Sequence, residues 1–278
     1  MHRWLAVFFV VLMSLPVLAQ DPAPTPTAPE RLVSKIINTY PHDTTSFTQG
    51  LIFFDGKLYE SAGLYGESDL REVDIKTGEV LRSVPLRRSE ADLAAGQRDY
   101  FGEGIERIGD KIIQLTWTDG QAFVYDLSTF KVVDTLTYTG EGWGMCSDGR
   151  HLYQSDSTNY LVLRDLDSFD MIVRFLVTFN GQPLAPNLLN ELECVDASVY
   201  ANLWQTDFIV RIDKMNGTIT AVIDASSLLT AEERAALDSS QVLNGIAYNP
   251  ETKTFFITGK QWPKLFEVQF VAAPPATK

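Results

Sequence analysis

Short runs of apolar and β-branched residues alternate with polar turns from about Val33 to Phe270, and the same pattern recurs five times. Each unit opens on a polar or aromatic residue: Gln49-Gly50-Leu51, Glu103-Gly104-Ile105, Trp143-Gly144-Met145, Asn190-Glu191-Leu192 and Asn244-Gly245-Ile246. A second strand begins nine residues after the opening in four units, at Leu58, Ile112, Leu152 and Val199. In the last it begins eleven residues on, at Phe255, because Asn249-Pro250-Glu251 lengthens the turn. Third strands end at Val73-Asp74, Tyr125-Asp126, Arg164-Asp165 and Ile212-Asp213, each followed by turn-forming residues such as Thr77-Gly78 or Asn216-Gly217. Fourth strands are expected at 80–86, 132–138, 171–179 and 218–224. The fifth unit has a third strand at 265–270 and no fourth, which the strand-like run 33–40 can supply. Pairing the two chain ends closes a ring and removes two exposed sheet edges. The expected fold is therefore all-β: a five-bladed β-propeller closed by pairing of the N-terminal strand with the C-terminal blade. A β-sandwich gives no reason to repeat one unit opening five times. Insertions lie at 87–99, charged and Ala-rich, and at 228–241, where Thr230-Ala231-Glu232-Glu233 reads as a capping box opening a short helix.

The flanks differ in character. Residues 1–19 read as a secretory signal, with His2 and Arg3 before an apolar run and Val17-Leu18-Ala19 as the cleavage site. The apolar core is short for a membrane span of about 20 residues, so the expectation is export to the periplasm or medium, with no stable membrane insertion after removal. Cleavage would leave Gln20 at the N-terminus. Residues 20–32 read as a Pro-rich disordered spacer, 33–271 as one propeller domain and 272–278 as a flexible tail. The formal charge is -13, and losing Arg3 with the signal makes it -14. So acidic a surface argues against nucleic acid and anionic membranes as partners, and a monomer is expected. Cys146 and Cys194, 48 positions apart, fit no zinc spacing and are expected as buried free thiols, with a disulfide as the alternative in an exported chain.

If the first strand of each unit lines a channel and the second runs back beside it, the start of one and the end of the other meet at one mouth. The openings give one ring of side chains: Gln49, Glu103, Trp143, Asn190 and Asn244. Fourteen residues on, or sixteen in the last unit, lies a second: Gly63, Trp117, Ser157, Trp204 and Lys260. Three of the four tryptophans beyond the signal fall in these rings, and Trp262 stands two residues past Lys260. Phe47 and Phe101 each precede a ring member by two. An aromatic cup holding one carboxylate, three amides and one ammonium is how small-ligand sites are built. The alternatives are plain packing for the aromatics, turn capping for Asn244 and a structural ion pair for Lys260. Glu191 and Glu193 are left to blade packing or to pairing with Lys260. Of the three histidines, His2, His42 and His151, none is in a ring, and the single acid of the first ring suits a metal-dependent hydrolase poorly.

Several stretches resemble the plant-type and bacterial glutamine cyclotransferase family: Ser46-Phe47-Thr48-Gln49-Gly50, Tyr100-Phe101-Gly102-Glu103-Gly104, Leu115-Thr116-Trp117, Gly142-Trp143-Gly144, Asn190-Glu191-Leu192-Glu193, Ala201-Asn202-Leu203-Trp204 and Thr258-Gly259-Lys260-Gln261-Trp262-Pro263. The chain departs from that pattern at Cys146, outside the motif positions. The resemblance implies a five-bladed propeller that converts the N-terminal glutamine of peptides or proteins to pyroglutamate without zinc or another cofactor. It implies site residues Phe47, Gln49, Phe101, Glu103, Trp117, Trp143, Asn190, Trp204 and Lys260. Glu103, the only acid in the first ring, is the expected proton shuttle. Lys260, Gln49 and Asn190 are expected to hold the amide oxygen. A non-catalytic peptide-binding propeller is the rival reading.

Overall fold

The computed structural model describes residues 28–275, so the signal and most of the expected spacer lie outside it. Strand β1 covers Glu30–Pro41. The first unit follows as β2 (Thr48–Phe54), β3 (Lys57–Ala62), β4 (Asp69–Val73) and β5 (Val80–Pro85), then a short helix α1 (Glu90–Ala94) in the first insertion. The second is β6 (Gly102–Ile108), β7 (Lys111–Thr116), β8 (Gln121–Asp126) and β9 (Val132–Thr137). The third is β10 (Met145–Ser147), β11 (His151–Gln154), β12 (Tyr160–Asp165) and β13 (Met171–Leu176), with a small hairpin of β14 (Thr178–Phe179) and β15 (Gln182–Pro183) after it. The fourth is β16 (Leu189–Val195), β17 (Ser198–Leu203), β18 (Phe208–Asp213) and β19 (Ile219–Asp224). Helix α2 (Ala231–Ala235) precedes β20 (Leu243–Asn249), β21 (Thr254–Gly259) and β22 (Lys264–Ala272).

Local chemistry explains the meanders. Asp55 and Gly56 both take positive φ, 50° and 73°, the geometry a two-residue hairpin needs to match strand twist. In units one to three the third strand ends on or just before an Asp whose Oδ1 accepts nearby backbone N–H groups: Asp74 from Thr77 at 2.9 Å, Asp126 from Thr129 at 2.8 Å, Asp165 from Ser168 at 2.8 Å. The capping box of α2 is present as expected, with Thr230 and Glu233 each satisfying the other's backbone.

Units one to three are separate four-stranded antiparallel sheets, whereas the last two are fused. Strand β1 pairs antiparallel with β22, as expected, but its first four residues also pair in parallel with β19. A single eight-stranded sheet results, and β1 is a seam rather than an edge. The strand also starts three residues before Val33, inside the expected spacer, and β22 runs one residue into the expected tail.

The first strands neighbour one another in a closed cycle, β2 to β6 to β10 to β16 to β20 and back to β2. Their starts approach to backbone contact. A Cβ on Gly144 would lie 2.2 Å from the carbonyl oxygen of Asn190, so only glycine fits. In the fourth unit Glu191 takes the glycine's place and spans the axis instead. Its carboxylate accepts Ile246 N at 2.8 Å and Leu51 N at 3.4 Å, tying three units together, and it does not pair with Lys260. Burial holds that carboxyl well above the usual range.

The apolar core lies between neighbouring sheets. Ile52, Tyr59 and Leu70 of the first unit pack on Ile105, Ile112 and Tyr125 of the second, and similar clusters repeat around the cycle. Fully burying one such side chain contributes about 1.5–3 kcal/mol. Strands β9 and β13 keep most side chains in solvent, as outermost strands.

The free-thiol expectation is overturned. Cys146 on β10 and Cys194 on β16 form a disulfide across two adjacent units, with Cα atoms 5.4 Å apart. The two cysteines stand three and four residues past the openings of consecutive units, and the cycle of first strands brings those positions together. A loop of 48 residues closed in the unfolded chain corresponds to about 3–4 kcal/mol. The Cys146→Ala/Cys194→Ala protein should therefore melt about 10 °C lower in a thermal scan. A Tm unchanged within about 2 °C would show that the link adds no stability.

Candidate functional site

In four of the five units the opening residues do not follow ordinary strand alternation. The ladder slips between Thr48 and Gly50, between Gly102 and Ile105, between Leu189 and Leu192, and between Leu243 and Ile246. Each slip is a β-bulge, which re-aims a side chain out of the pleat. Gln49, Glu103, Asn190 and Asn244 sit in these four bulges. The recurrent opening in the sequence is thus the signature of a bulge at one mouth of the cycle.

That mouth holds a cavity of about 210 Å³. Nine residues expected at the site line it: Phe47, Gln49, Phe101, Glu103, Trp117, Trp143, Asn190, Trp204 and Lys260. Gln205 and Ser240 line it too and were not foreseen. Gln205 also borders a second, more polar cavity against Arg234 and Asp238.

Its wall is an aromatic arc. Phe47 meets Phe101 edge-on at 6.2 Å, Phe101 meets Trp117 at 5.7 Å, and Trp143 meets Trp204 at 5.6 Å. Gly63 makes room for it, since a Cβ there would strike the Phe101 ring at 2.4 Å. Between Trp117 and Trp143 the arc is completed by a carboxylate. Glu141 Oε2 accepts both indole N–H groups, at 3.0 and 2.8 Å. Glu141 stands two residues before Trp143, the same offset that places Phe47 and Phe101 ahead of Gln49 and Glu103, so the sequence held this signal unread.

The polar floor is a relay. Asn244 Nδ2 donates to Gln49 Oε1 at 3.1 Å and to Thr48 O at 2.9 Å. Gln49 Nε2 donates to Glu103 Oε1 at 3.0 Å. Asn244 therefore lies behind the cavity, fixing the Gln49 amide so that Gln49 presents N–H to Glu103. Trp262 does not reach the cavity either. It is 1% exposed, donates Nε1–H to Gln241 O at 2.9 Å and packs edge-on against Phe266 in the core.

Glu103 is 4% exposed, and burial drives its carboxyl well above its ordinary range, with Lys260 opposing and Glu141 adding to the rise. Lys260, also 4% exposed, is pushed down to about 8 by burial, against the pull of Glu103. Its Nζ lies 4.8 Å from the centre of the Phe47 ring, and among the described residues no carboxylate comes within 4.0 Å of it. The ion-pair alternative for Lys260 is not what the geometry gives. Asn190, 3% exposed, also lines the cavity. Among the described residues no group of three or more His, Cys, Asp or Glu is arranged to hold a metal ion.

Fold and cavity together define an all-β protein with a buried aromatic site carrying an acid–base pair. Its similarity to known proteins shows the family. Residues 8–270 match the family model described as glutamine cyclotransferase. The chain is 35% identical over 241 residues to a glutaminyl-peptide cyclotransferase of Arabidopsis thaliana, spanning 86% of this chain and 72% of that protein. The crystal structure of a Myxococcus xanthus glutaminyl cyclase superposes with a TM-score of 0.77 at 36% identity, over 88% of this chain and 100% of that one. The chain belongs to the glutamine cyclotransferase family.

Proposed function

We propose that the chain is a five-bladed β-propeller enzyme that cyclises the N-terminal glutamine of peptides or proteins to pyroglutamate, an intramolecular acyl transfer. One observation carries the reading: a single buried carboxylate and a single buried ammonium line the same aromatic cavity, together with Gln49 and Asn190. The reaction needs little more. The substrate's α-amine attacks its own γ-carboxamide carbon, so the protein supplies no nucleophile. The aromatic wall folds the glutamine side chain back on its amine, a proximity effect. As the new C–N bond forms, Glu103 takes a proton from the amine. It returns that proton to the departing nitrogen, the old C–N bond breaks, and ammonia leaves. Lys260, with Asn190 and the remaining N–H of Gln49, holds the amide oxygen as negative charge develops there.

The donor set of the cavity, one carboxylate with amides and an ammonium, supports metal-independent chemistry. The apolar run near the N-terminus and the Cys146–Cys194 disulfide both support export to an oxidising compartment. Among the described residues no helix is long and apolar enough to cross a membrane. Ammonia and pyroglutamate should appear from a Gln-initiated dipeptide at the same rate with and without a chelator. Absence of both products would refute the activity, and a rate abolished by chelator would refute its metal independence.

A further inference from the structure

Glu141 belongs to neither ring, yet it joins the two halves of the cavity wall. Trp117 follows the end of β7 in the second unit, and Trp143 precedes β10 in the third, so no sheet ladder fixes one indole against the other. One carboxylate oxygen takes both N–H groups. Charge-assisted bonds of this kind are about twice as strong as neutral ones. The backbone around it is also fixed: Gly142 N donates to Trp117 O at 2.9 Å, and Gln154 Nε2 donates to Glu141 O at 3.1 Å. The remaining wall contacts are edge-on ring pairs, which leave an indole free to rock unless its N–H is held.

We propose that Glu141 is a positioning residue, a clamp that locks Trp117 and Trp143 into one rigid wall so that the cavity holds the folded glutamine end. It touches neither the reacting atoms nor the floor, and acts only through the two indoles. This rests on the cyclase reading for its kinetic consequence, but the clamp itself can be seen without substrate. Glu141 also faces Glu103 as a like charge, so removing its charge should ease ionisation of Glu103 and move the acidic limb of the rate profile to lower pH.

The test compares E141A with E141Q, which keeps an oxygen acceptor but loses the charge. In E141A the near-UV circular dichroism of the tryptophans should change, and kcat/KM for a Gln-initiated dipeptide should fall by more than tenfold, much of it in KM. E141Q should keep the wild-type near-UV signal and a kcat/KM within about fivefold, allowing for two weakened hydrogen bonds, with the acidic limb displaced downward. E141A at wild-type kcat/KM, or with an unchanged tryptophan signal, would overturn the clamp. So would E141Q as damaged as E141A. Should E141A fail to fold, E141Q decides alone: a loss beyond tenfold, or an acidic limb that stays in place, counts against the proposal. A wild-type protein that turns over no glutaminyl peptide would sink the cyclase reading, whereas the spectroscopic arm would still judge the clamp.

Discussion

Glu103→Gln is expected to fold with wild-type secondary structure and thermal midpoint and to lose kcat by about 10²–10⁴-fold, the usual worth of a positioned acid–base group. The fold should survive because the swap is isosteric and the site is forgiving. Gln49 Nε2 can donate to the new amide oxygen as it does to Glu103 Oε1. The substitution also removes a charge whose burial is costly. Catalysis should not survive, since an amide cannot take the amine's proton and pass it on. The sign of the pH effect follows from burial. With its pKa raised, Glu103 is protonated over more of the acid range than an ordinary carboxyl, so wild-type kcat should climb as pH rises through that raised value. Glu103 and the bound amine share one proton in the reactive state, so this limb belongs to the pair. In Glu103→Gln the residual rate should lack it. Ammonia release over a pH series, with circular dichroism as the fold control, measures both. Turnover within threefold of wild type would remove Glu103 from the proton-shuttle role.

Why this glutamate could be picked from sequence has a physical answer. The repeat makes equivalent positions comparable, and a bulge at four of the five unit openings turns one side chain toward the mouth. Periodicity therefore located Gln49, Glu103, Trp143 and Asn190, and the return strand located Trp117, Trp204 and Lys260. The same arithmetic placed Asn244 in the first ring, where it does stand. It could not see that Asn244 spends its Nδ2 on Thr48 O and Gln49 and so lies behind the cavity. Trp262 was judged by nearness to Lys260 along the chain, but Gln261 between them turns at a positive φ of 58° and sends the indole into the core. Ser240 comes from the insertion at 228–241, which lies outside the two rings, so no ring position could flag it. The parallel seam between β1 and β19 depends on how the chain ends close the cycle, a property of closure rather than of any one strand.

The second large effect belongs to Lys260. Its burial holds the ammonium down at about 8, so the positive charge is complete below that pH and is lost as pH rises through it. If that charge steadies the developing amide oxygen, wild-type kcat should fall above about pH 8, tenfold per unit once the limb is reached. Lys260→Met, which keeps the length of the side chain without the charge, should lose about 10²–10³ in kcat, the range for removing one electrostatic donor to a developing oxyanion, and its residual rate should show no limb near 8. Lys260→Arg makes the test sharper. A guanidinium stays charged well past pH 12, so whatever activity its altered shape permits should persist above pH 9, where the wild type declines. A purely structural ammonium over the Phe47 ring predicts otherwise: lowered stability in Lys260→Met, modest loss of kcat, and the same alkaline limb in Lys260→Arg as in the wild type. The decisive reading is thus the position of that limb in the arginine variant, because geometry alone can lower a rate but only the charge can move the pH at which it fails.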